Sequence, residues 1–357
     1  MNSGGTATYL NTLIPELNRT GIEAHLAFGN IAKGESEDIC LDASLYTRIS
    51  SLHREVSPRN DLRAAKEFDQ VVKAFSPDII HSHAFKGGVI SRLLVHNEAK
   101  RIHTFHGHHL YDPEFSRIEK FAMNRIEKWL NKRTDGFIFI GTRVQSELQD
   151  RNIGNSDFSV SIAPGISLGS MLDQNQALDK LGINPTNNQS PVFLWMGRFI
   201  DVKNPEMFLE LARTFPDSVF IMAGDGPKRE HLELNAPGNL RLVGWQQREL
   251  LLSATDVVVS TSLSEGMPLS LIEAQMSGRP VIAPNVGSIA EIVEDGSTGF
   301  VFDGNLSDLR DKSRVLIDNL QLRNEMSERA KLRAEIRFSA EALLAGHEDF
   351  YRKVIGK

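Results

Sequence analysis

Two glutamates with seven residues between them, Glu265 and Glu273, flank the start of a predicted helix. The valine-rich run before them, residues 256–260, is typical of a buried parallel strand. Pro268 suits the first position of a helix because proline donates no N–H that would be missed there. Unpaired N–H groups at such a helix start attract phosphate, whereas carboxylates accept hydrogen bonds from hydroxyls. The pattern therefore predicts a ligand with both phosphate and sugar, and it places Glu273 about 7 Å along the helix, within reach of a ribose.

A second group of polar residues follows the predicted strand over residues 192–196. Gly197 allows a ligand to approach the backbone closely, Arg198 can bind phosphate bidentately, and Lys203 supplies a point charge. A helix is predicted directly afterwards, over residues 204–214. A surface turn is the ordinary interpretation of a Gly-Arg pair, but these three residue types are what a diphosphate leaving group requires.

The elements that position these residues alternate between strand and helix along the chain. Such alternation predicts parallel sheets with crossover helices, in which ligands collect beyond the carboxyl ends of the strands. A chain of 357 residues exceeds the usual size of one core, so we expect two domains. The predicted strands are residues 24–28, 79–81, 101–105, 136–140, 159–162, 192–196, 219–223, 240–243, 256–260 and 278–283. The principal predicted helices are residues 60–75, 88–94, 114–133, 204–214, 306–336 and 340–355.

Glycine and histidine dominate the motifs of the N-terminal half. Gly4 and Gly5 precede a helical pattern, which favours a close ligand approach at a helix start, although a simple turn is the ordinary interpretation. Histidines follow two predicted strands, at positions 81 and 83 and again at 106, 108 and 109. Their ordinary interpretation is as loop histidines satisfied by backbone or water. No carboxylate or cysteine completes a ligand set at diagnostic spacing, so we expect no metal site.

Together, these motifs resemble family 4 glycosyltransferases. Residues 264–299 resemble the nucleotide-sugar site of that family, and Gly197-Arg198 with Lys203 resembles its phosphate clamp. The run Thr104-Phe-His106-Gly107 resembles its acceptor-side motif. The resemblance implies a retaining enzyme of the α/β GT-B fold, in which two Rossmann-like domains face each other across a cleft and the last helix crosses back to the N-terminal domain.

The resemblance also implies domain bounds. We expect residues 1–168 to form an acceptor-side domain, 169–190 a linker, 191–338 a nucleotide-sugar-binding domain, and 339–357 a helix packed on the N-terminal domain. The family has a hydrophobic first strand before the Gly-Gly loop, for which this sequence has no room. Because strand 1 is central in a doubly wound sheet, we expect a gap in the core and a truncated start.

The functional residues of the family carry over to the matching positions. The expected catalytic residues are Glu265 on the donor sugar, His106 near the acceptor, and Arg198 with Lys203 on the departing diphosphate. Trp245 could stack on the nucleobase or pack in the core, and the alternative for Lys86 is a solvated surface lysine. The expected donor contacts are Gly5, Gly197, Arg198, Lys203, Gly244, Trp245, Glu265, Gly266, Met267, Pro268, Leu269 and Glu273. The expected acceptor side consists of Gly4, Lys86 and His106.

Residues 114–133 have the pattern of an amphipathic helix. Its apolar side holds Ile118, Phe121, Ala122, Ile126 and Leu130, and its other faces carry six basic residues against three glutamates. A basic face of this kind can hold a protein near anionic lipid. A solvated helix with i,i+4 ion pairs is the ordinary interpretation, and peripheral contact with a membrane is the alternative.

Composition limits the remaining classes of protein. The formal net charge of −6 argues against nucleic-acid binding, and no apolar run has the length of a membrane-spanning helix. The single cysteine, Cys40, excludes a disulfide framework and fits a reducing cytosol. We therefore expect a cytoplasmic protein without a cofactor, since the nucleotide-sugar is a substrate. A lipid-linked acceptor would bring it to the inner face of the cytoplasmic membrane.

The sequence thus predicts a retaining, metal-independent glycosyltransferase. It is expected to move a sugar from a nucleotide diphosphate donor, UDP by the resemblance, to a glycan or lipid-linked acceptor in polysaccharide or glycolipid biosynthesis. One alternative is a GT-B nucleotide-sugar epimerase, although that class lacks both the glutamate spacing and the Gly-Arg and Lys pairing. A second is a non-catalytic nucleotide-sugar-binding subunit, which the missing first strand leaves open. A glycoside hydrolase would use paired glutamates, but a cationic clamp has no use beside a neutral glycan.

Overall fold

The computed structural model describes residues 4–31, 37–94, 98–107, 116–183 and 190–356, and it divides into two compact units. Unit 1 consists of Met1–Ser167 with Phe338–Lys357, and unit 2 of Leu168–Arg337. His108, His109 and Glu114, which enter the sequence predictions, lie outside the described residues. Both units are built from parallel strands and helices, in agreement with the predicted α/β class.

Unit 1 contains two parallel sheets among its described residues. One pairs β1 (Leu26–Phe28) with β2 (Tyr46–Arg48), and the other contains β3 (Ile79–His83), β4 (Lys100–Phe105), β5 (Gly136–Phe139) and β6 (Ser159–Ser161) in chain order. Its helices are α1 (Gly5–Arg19), α2 (Pro58–Phe75), α3 (Phe85–Val89), α4 (Arg117–Leu130), α5 (Thr142–Gln149) and the C-terminal helix (Ala340–Ile355). Short 3₁₀ turns cover Ala43–Leu45 and Asn131–Arg133, and a π-helical turn covers Ile90–Leu94.

Two of these elements differ from the sequence prediction. β2 was not predicted, because Tyr46-Thr-Arg48 is short and carries no buried side chain. The helix predicted over residues 88–94 begins earlier, at Phe85, and changes to π-helical geometry from Ile90. Ala84 precedes it with a φ of 59°, a backbone conformation that few residues other than glycine adopt.

The C-terminal helix packs on α1. The two helices share one core, to which α1 contributes Tyr9 and Leu13, and the C-terminal helix contributes Leu343 and Phe350. The Ser339 side chain accepts a hydrogen bond from the N–H of Ala342 at 3.2 Å and so caps the helix. Burying a large apolar side chain contributes about 1.5–3 kcal/mol, so this shared core fixes the helix to unit 1.

α4 packs with the opposite face from the one its apolar residues mark. The side predicted as apolar is largely exposed: Ile118 and Phe121 are 81% and 67% exposed, and of its five residues only Leu130, the last of the helix, is buried. The inner face instead buries Glu127, whose carboxylate pairs with Arg92 of the π-helical turn at 2.9 Å. Burial raises the pKa of Glu127 and lowers that of Arg92, and the ion pair opposes both shifts. The inner face of α4 therefore contains a buried pair of opposite charges, which periodicity cannot detect.

Replacing Glu127 with alanine is expected to lower the free energy of unfolding by about 3 kcal/mol, because the guanidinium of Arg92 would remain buried without its partner. The measurement is urea denaturation of Glu127→Ala and of the double variant Arg92→Met with Glu127→Met. The double variant removes both charges and should recover most of the loss. Equal destabilisation in the two variants would mean that the loss does not come from the unpaired charge of Arg92.

The described residues of unit 2 form one six-stranded parallel sheet. Its strands are β7 (Val192–Met196), β8 (Val219–Ala223), β9 (Leu240–Gly244), β10 (Val257–Val259), β11 (Val281–Pro284) and β12 (Gly299–Phe302). They lie in the order β12-β11-β10-β7-β8-β9, which is the strand order of doubly wound dinucleotide-binding folds. Its helices are α6 (Gln174–Lys180), α7 (Pro205–Thr214), α8 (Arg229–Asn235), α9 (Arg248–Ser253), α10 (Leu269–Met276), α11 (Ile289–Ile292), α12 (Leu306–Asp318) and α13 (Leu320–Arg337).

The segment predicted as a linker, residues 169–190, is part of unit 2 where it is described. The side chain of Asp173 caps α6 by accepting from the N–H of Asn175 at 2.9 Å, and the helix buries Ala177 and Leu178. The polar composition of this segment therefore reflects one solvated helix face, and the linker prediction is wrong for these residues. α10 also differs by one residue, because Pro268 has an extended ψ of 122° and is the N-cap.

Each helix within the described ranges is either too short or too polar to cross a bilayer.

Candidate functional site

β7 and β10 lie side by side at the centre of the sheet of unit 2. Val257 and Val258 of β10 pair with Phe193 and Leu194 of β7. From β7 the chain proceeds outward through β8 and β9, and then returns to β10 on the other side, so the strand order reverses between these two strands. Ligands of open α/β sheets bind at such a reversal, beyond the carboxyl ends of the strands. Both residue groups identified in the sequence follow these strands.

Lys203 and Glu265, from the segments after β7 and β10, form an ion pair between Nζ and Oε1. The two side chains are 26% and 11% exposed, so their charges are partly shielded from water, which strengthens their attraction. The two segments are also joined by their backbones, since the N–H of Leu263 donates to the carbonyl of Val202 at 2.8 Å. The structure therefore brings these two predicted residues together.

Thr261 fixes the backbone on which Lys203 stands. Its Oγ1 accepts the indole N–H of buried Trp195 at 2.9 Å and lies 3.0 and 2.8 Å from the carbonyl oxygens of Lys203 and Asn204. Lys203 ends a 3₁₀ turn, and Asn204 follows with a left-handed φ of 45°, which asparagine tolerates better than most residues. A buried hydrogen-bond chain therefore sets the position of the lysine.

Gly197 and Arg198 follow β7 directly. The N–H of Gly197 donates to the carbonyl of Ala223 at 3.0 Å, and a Cβ added to Gly224 would lie 1.8 Å from the carbonyl oxygen of Gly197. This backbone contact therefore requires a glycine at position 224, whose φ is 137°. The Arg198 side chain is exposed, and its guanidinium makes no hydrogen bond or ion pair with any residue that the structure describes. It is the cation of the predicted clamp that remains accessible to a ligand.

The segment from Gly266 to Leu269 leads from the glutamate into α10. Gly266 accepts a hydrogen bond at its carbonyl from the N–H of Ser288 at 2.7 Å, and Met267 is buried. Pro268 is the N-cap and Leu269 the first helical residue. The first N–H groups of a helix have no acceptor within it, so this end of α10 retains the predicted anion-binding property.

Gly287 supports the backbone of Glu265 from the next loop. Its φ is 52°, and an added Cβ would lie 2.0 Å from the carbonyl oxygen of Glu265. Any larger residue would therefore displace the glutamate segment. This glycine belongs to the Gly287-Ser288 run that follows β11 in the sequence.

Glu273 is paired with Arg248, the first residue of α9. Arg248 Nη1 lies 3.0 Å from Oε1 of Glu273, and its Nε lies 3.0 Å from Oε1 of Glu249. Glu249 in turn accepts a hydrogen bond from the N–H of Gly169 at 3.0 Å. Burial raises the pKa of Glu273, and Arg248 acts in the opposite direction. A ribose at Glu273 would therefore meet a carboxylate whose orientation Arg248 already fixes.

Gly244 and Trp245 come at the end of β9. Gly244 has a φ of 69°, and its carbonyl accepts the N–H of Gly224 at 2.9 Å. Trp245 is 64% exposed, so the alternative of a packed core tryptophan is wrong. Its ring is accessible for stacking, and the contact with a nucleobase stays a prediction.

Histidines of unit 1 form a hydrogen-bonded network around the predicted acceptor residue, His106. His106 Nε2 lies 2.8 Å from Nδ1 of His83, and the ring of His106 lies 4.8 Å from that of Tyr9, centroid to centroid, edge to face. His81 lies 2.7 Å from the hydroxyl of Tyr351 and 2.6 Å from that of Thr104. His81 and His83 belong to β3, so their interpretation as loop histidines satisfied by backbone or water is wrong.

The histidines of this network are held neutral. Burial lowers the pKa of His106 to about 4, with a further contribution from the charge of His347, and burial also lowers that of His347 to about 4. His347 Nδ1 lies 2.8 Å from the carbonyl of Leu343, which can only accept, so the proton is on Nδ1. Its Nε2 then accepts from the Tyr9 hydroxyl at 2.8 Å. Since Nε2 of His106 is engaged by His83, a ligand of this imidazole would have to meet Nδ1.

Gly4 and Gly5 start α1, the helix that carries Tyr9. Gly4 is the N-cap with a φ of 150°, and Gly5 is the first helical residue. Tyr9 is fully buried and contacts His106, so it links the helix start to the histidine network. Gly4 and Gly5 therefore begin the helix whose Tyr9 contacts His106 in unit 1.

Lys86 has a structural partner in unit 1. Its Nζ forms an ion pair with Asp61 at 2.7 Å and donates to the carbonyls of His53 and Glu55 at 2.6 and 2.5 Å. The alternative of a solvated surface lysine is therefore wrong. The ammonium ties the start of α3 to the segment before α2, and its predicted acceptor role stays a prediction.

In the part of the chain that the structure describes, no group of three or more His, Cys, Asp or Glu residues is arranged to hold a metal ion. The imidazoles of His81, His83 and His106 form hydrogen bonds with one another or with nearby hydroxyls.

Sequence reasoning missed the residues that hold the predicted site residues in place. In unit 2 they are Arg248 and Glu249, whose polar helix-start positions are indistinguishable from solvated ones in sequence. In unit 1 they are Tyr9, His347 and Tyr351. His347 and Tyr351 are four residues apart on the C-terminal helix, and this i,i+4 pair of polar aromatic residues on an otherwise apolar face is the one available signal.

Comparison with known proteins gives two family matches, which follow one another along the chain. The model for Glycosyltransferase Family 4 matches residues 3–168, and the model for Glycosyl transferases group 1 matches residues 179–333. The first covers most of unit 1, and the second covers most of unit 2.

Curated relatives include transferases of several sugars. The UDP-Gal:alpha-D-GlcNAc-diphosphoundecaprenol alpha-1,3-galactosyltransferase of Escherichia coli is 28% identical over 79% of this chain and 77% of its own length. The alpha-D-kanosaminyltransferase of Streptomyces kanamyceticus is 29% identical over 46% of each chain. The matched region thus spans about three quarters of the first relative and about half of the second.

Solved structures share the fold over nearly the whole chain. Sucrose-phosphate synthase from Thermosynechococcus elongatus has a TM-score of 0.83 at 20% identity, with 100% of this chain and 96% of that chain covered. HepE from Anabaena in complex with UDP-glucose has a TM-score of 0.79 at 18% identity, with 99% and 97% covered. The two units are thus the Rossmann-like domains of the GT-B fold, as predicted. The chain belongs to glycosyltransferase family 4 and is a glycosyltransferase.

Proposed function

We propose that this glycosyltransferase moves a sugar from a UDP-sugar to a glycan or lipid-linked acceptor, with retention at the anomeric carbon and without a metal or other cofactor. The observation that carries the proposal is the ion pair of Lys203 and Glu265 at the strand reversal of unit 2. A carboxylate and an ammonium held together there match a ligand that presents sugar hydroxyls next to a diphosphate. The Escherichia coli relative is named for a UDP-galactose donor and a diphosphoundecaprenol acceptor, which supports uridine and a lipid carrier.

On the donor side, Arg198 and Lys203 neutralise the charge that grows on the departing diphosphate. Arg198 is exposed and accessible, while Lys203 is positioned by the hydrogen bonds of Thr261. The start of α10 adds N–H groups for the same anion. Glu265 accepts hydrogen bonds from donor-sugar hydroxyls, and Glu273 does so from the ribose.

On the acceptor side, His106 acts as a neutral hydrogen-bond partner. Its pKa of about 4 leaves the imidazole uncharged near neutral pH, so it cannot serve as a cation for phosphate. It can orient an acceptor hydroxyl through the nitrogen that His83 does not occupy. The cationic tasks therefore belong to Arg198 and Lys203.

In the transfer step, the bond between the anomeric carbon and the diphosphate oxygen breaks, and the pair of electrons leaves with the diphosphate. The acceptor oxygen forms its bond to the same face of the sugar, so configuration is retained. The proton of the acceptor hydroxyl ends on the departing diphosphate. Glu265, paired with Lys203, stabilises positive charge on the sugar ring during this exchange.

Replacing Arg198 with alanine is expected to weaken binding of the cognate nucleotide-sugar about 30-fold, since a charge-assisted hydrogen bond to phosphate is lost. The measurement is native mass spectrometry of the protein with a panel of UDP-, GDP- and ADP-sugars, followed by titration of the sugar that binds. NMR of the product formed from that sugar and a glycan acceptor reports its anomeric configuration.

Arg213→Ala is the matched control, because Arg213 is an arginine of the same unit that pairs with Glu210 on α7. It should bind the nucleotide-sugar as the parent protein does. Equal affinity of the parent protein and Arg198→Ala would refute the clamp, and an inverted product would refute retention.

A further inference from the structure

The outer face of α4 combines exposed apolar side chains with exposed cations. Ile118, Phe121, Ile126 and Trp129 are 81%, 67%, 37% and 45% exposed. At about 100° per residue they lie on one side of the helix, as a stripe roughly 20 Å long. Large apolar side chains that are exposed in a row mark a surface that contacts something less polar than water.

The cations lie in and beside the same stripe. Those exposed on α4 and the 3₁₀ turn that follows it are Arg117, Arg125, Lys128, Lys132 and Arg133. The guanidinium of Arg133 lies 4.2 Å above the centre of the Trp129 ring. A concentration of positive charge is unexpected on a chain whose net charge is −6. The face is therefore complementary to an anionic surface.

The two acidic residues of α4 offset little of this charge, because five exposed cations stand against one exposed carboxylate, that of Glu119. Glu127 is buried on the inner face with Arg92. Glu119 is engaged in a capping box, in which its carboxylate accepts from the N–H of Ser116 at 2.8 Å while the Ser116 hydroxyl accepts from the N–H of Glu119 at 3.3 Å. Glu127 thus fixes the helix to unit 1, and Glu119 sets the start of the helix. The cations remain on the outer face.

We propose that the outer face of α4 docks unit 1 on the surface of a bilayer that contains anionic lipid. An interfacial helix inserts its apolar side chains about 5–10 Å into the boundary between headgroups and acyl chains, with Lys and Arg at the level of the phosphates. Ile118, Phe121 and Trp129 supply the inserted side chains, and the five cations supply the headgroup contacts. A second copy of this chain fits the outer face of α4 less well than a bilayer does, because a twofold contact through α4 would place cations against cations.

The test is sedimentation with vesicles of phosphatidylcholine alone and of phosphatidylcholine with roughly one-third phosphatidylglycerol. The protein should bind the mixed vesicles, bind the neutral ones at least tenfold more weakly, and dissociate as NaCl is raised. The double variants Ile118→Ser with Phe121→Ser and Arg125→Glu with Lys132→Glu should each weaken binding at least tenfold. These side chains are exposed, so their replacement is not expected to unfold unit 1.

Leu332→Ser with Ile336→Ser is the matched control, since both residues are exposed on α13 of unit 2, at 63% and 77%. It should bind vesicles like the parent protein. All variants should release nucleotide from a soluble donor at the parent rate, so a failure of docking is distinguishable from a failure of the proposed transfer. Equal binding to both vesicle types, binding that survives the α4 variants, or a dimer in sedimentation velocity that those variants dissociate would overturn the proposal.

Discussion

Replacing Lys203 with methionine is expected to lower kcat for release of nucleoside diphosphate from the donor by about 10³-fold, the upper range for one electrostatic contact to a developing negative charge. Two effects act in the same direction. The departing diphosphate loses a positive charge that the Thr261 hydrogen bonds hold in place. Glu265, whose side chain is 11% exposed, also loses its counter-charge and then repels the anion.

The matched control is Lys228→Met. Lys228 pairs with Asp201, in the same 3₁₀ turn as Lys203, and with Glu206 at the start of α7, at 2.6 and 2.5 Å. It therefore resembles Lys203 in charge and location but has no contact with Glu265. Its kcat should stay within about threefold of the parent value, since the charges it pairs with are not those of the proposed leaving group. A kcat for Lys203→Met that also stays within threefold would exclude Lys203 from the chemistry.

Most of unit 2 could be predicted from the sequence because its signals are local. The local structure is indicated by a valine-rich buried strand, by a Gly-Arg pair after β7 and by a proline before α10. The strand order then brings β7 and β10 together, so residues that follow separate strands become neighbours without any further information. Arg248 escaped prediction because its partner Glu273 lies on a different helix, α10, a contact that no sequence spacing records.

Unit 1 was less predictable because its polar groups are satisfied over long distances in the chain. The Tyr9 hydroxyl meets His347, and His81 meets Tyr351, so the network joins the first helix, two strands and the last helix. Periodicity failed on α4 for a related reason, since the helix buries an ion pair with Arg92 while most of its apolar stripe is exposed. Both cases are buried polar contacts, which must be satisfied in the folded state but leave no periodic pattern.

Lowering the pH from about 7.5 to about 5 is expected to reduce the free energy of unfolding of unit 1 by at least about 4 kcal/mol. In the unfolded chain a histidine has a pKa of about 6.5. Burial holds the pKa of His347 and of His106 at about 4 in the folded state, so between these values the unfolded chain binds more protons. The contribution of the neutral, buried histidines to the free energy of unfolding is complete above pH 6.5 and is lost as the pH falls toward 4. At pH 5 each of the two histidines accounts for about 2 kcal/mol of the lost free energy of unfolding. Burial also lowers the pKa of His81, His83 and His103, so these residues act in the same direction.

Urea-dependent hydrogen exchange, followed by mass spectrometry, measures this loss separately in the two units. Unit 2 is the internal reference, because its single histidine, His231, is exposed on α8. His347→Gln should reduce the change in unit 1 between the two pH values by about 2 kcal/mol, since the glutamine amide does not titrate, whereas His231→Gln should leave it unchanged. An unfolding free energy of unit 1 that is the same at both pH values would mean that the network accepts protons without opening. His106 would then be able to carry a positive charge at the acceptor side, and the assignment of the cationic tasks to Arg198 and Lys203 alone would no longer hold.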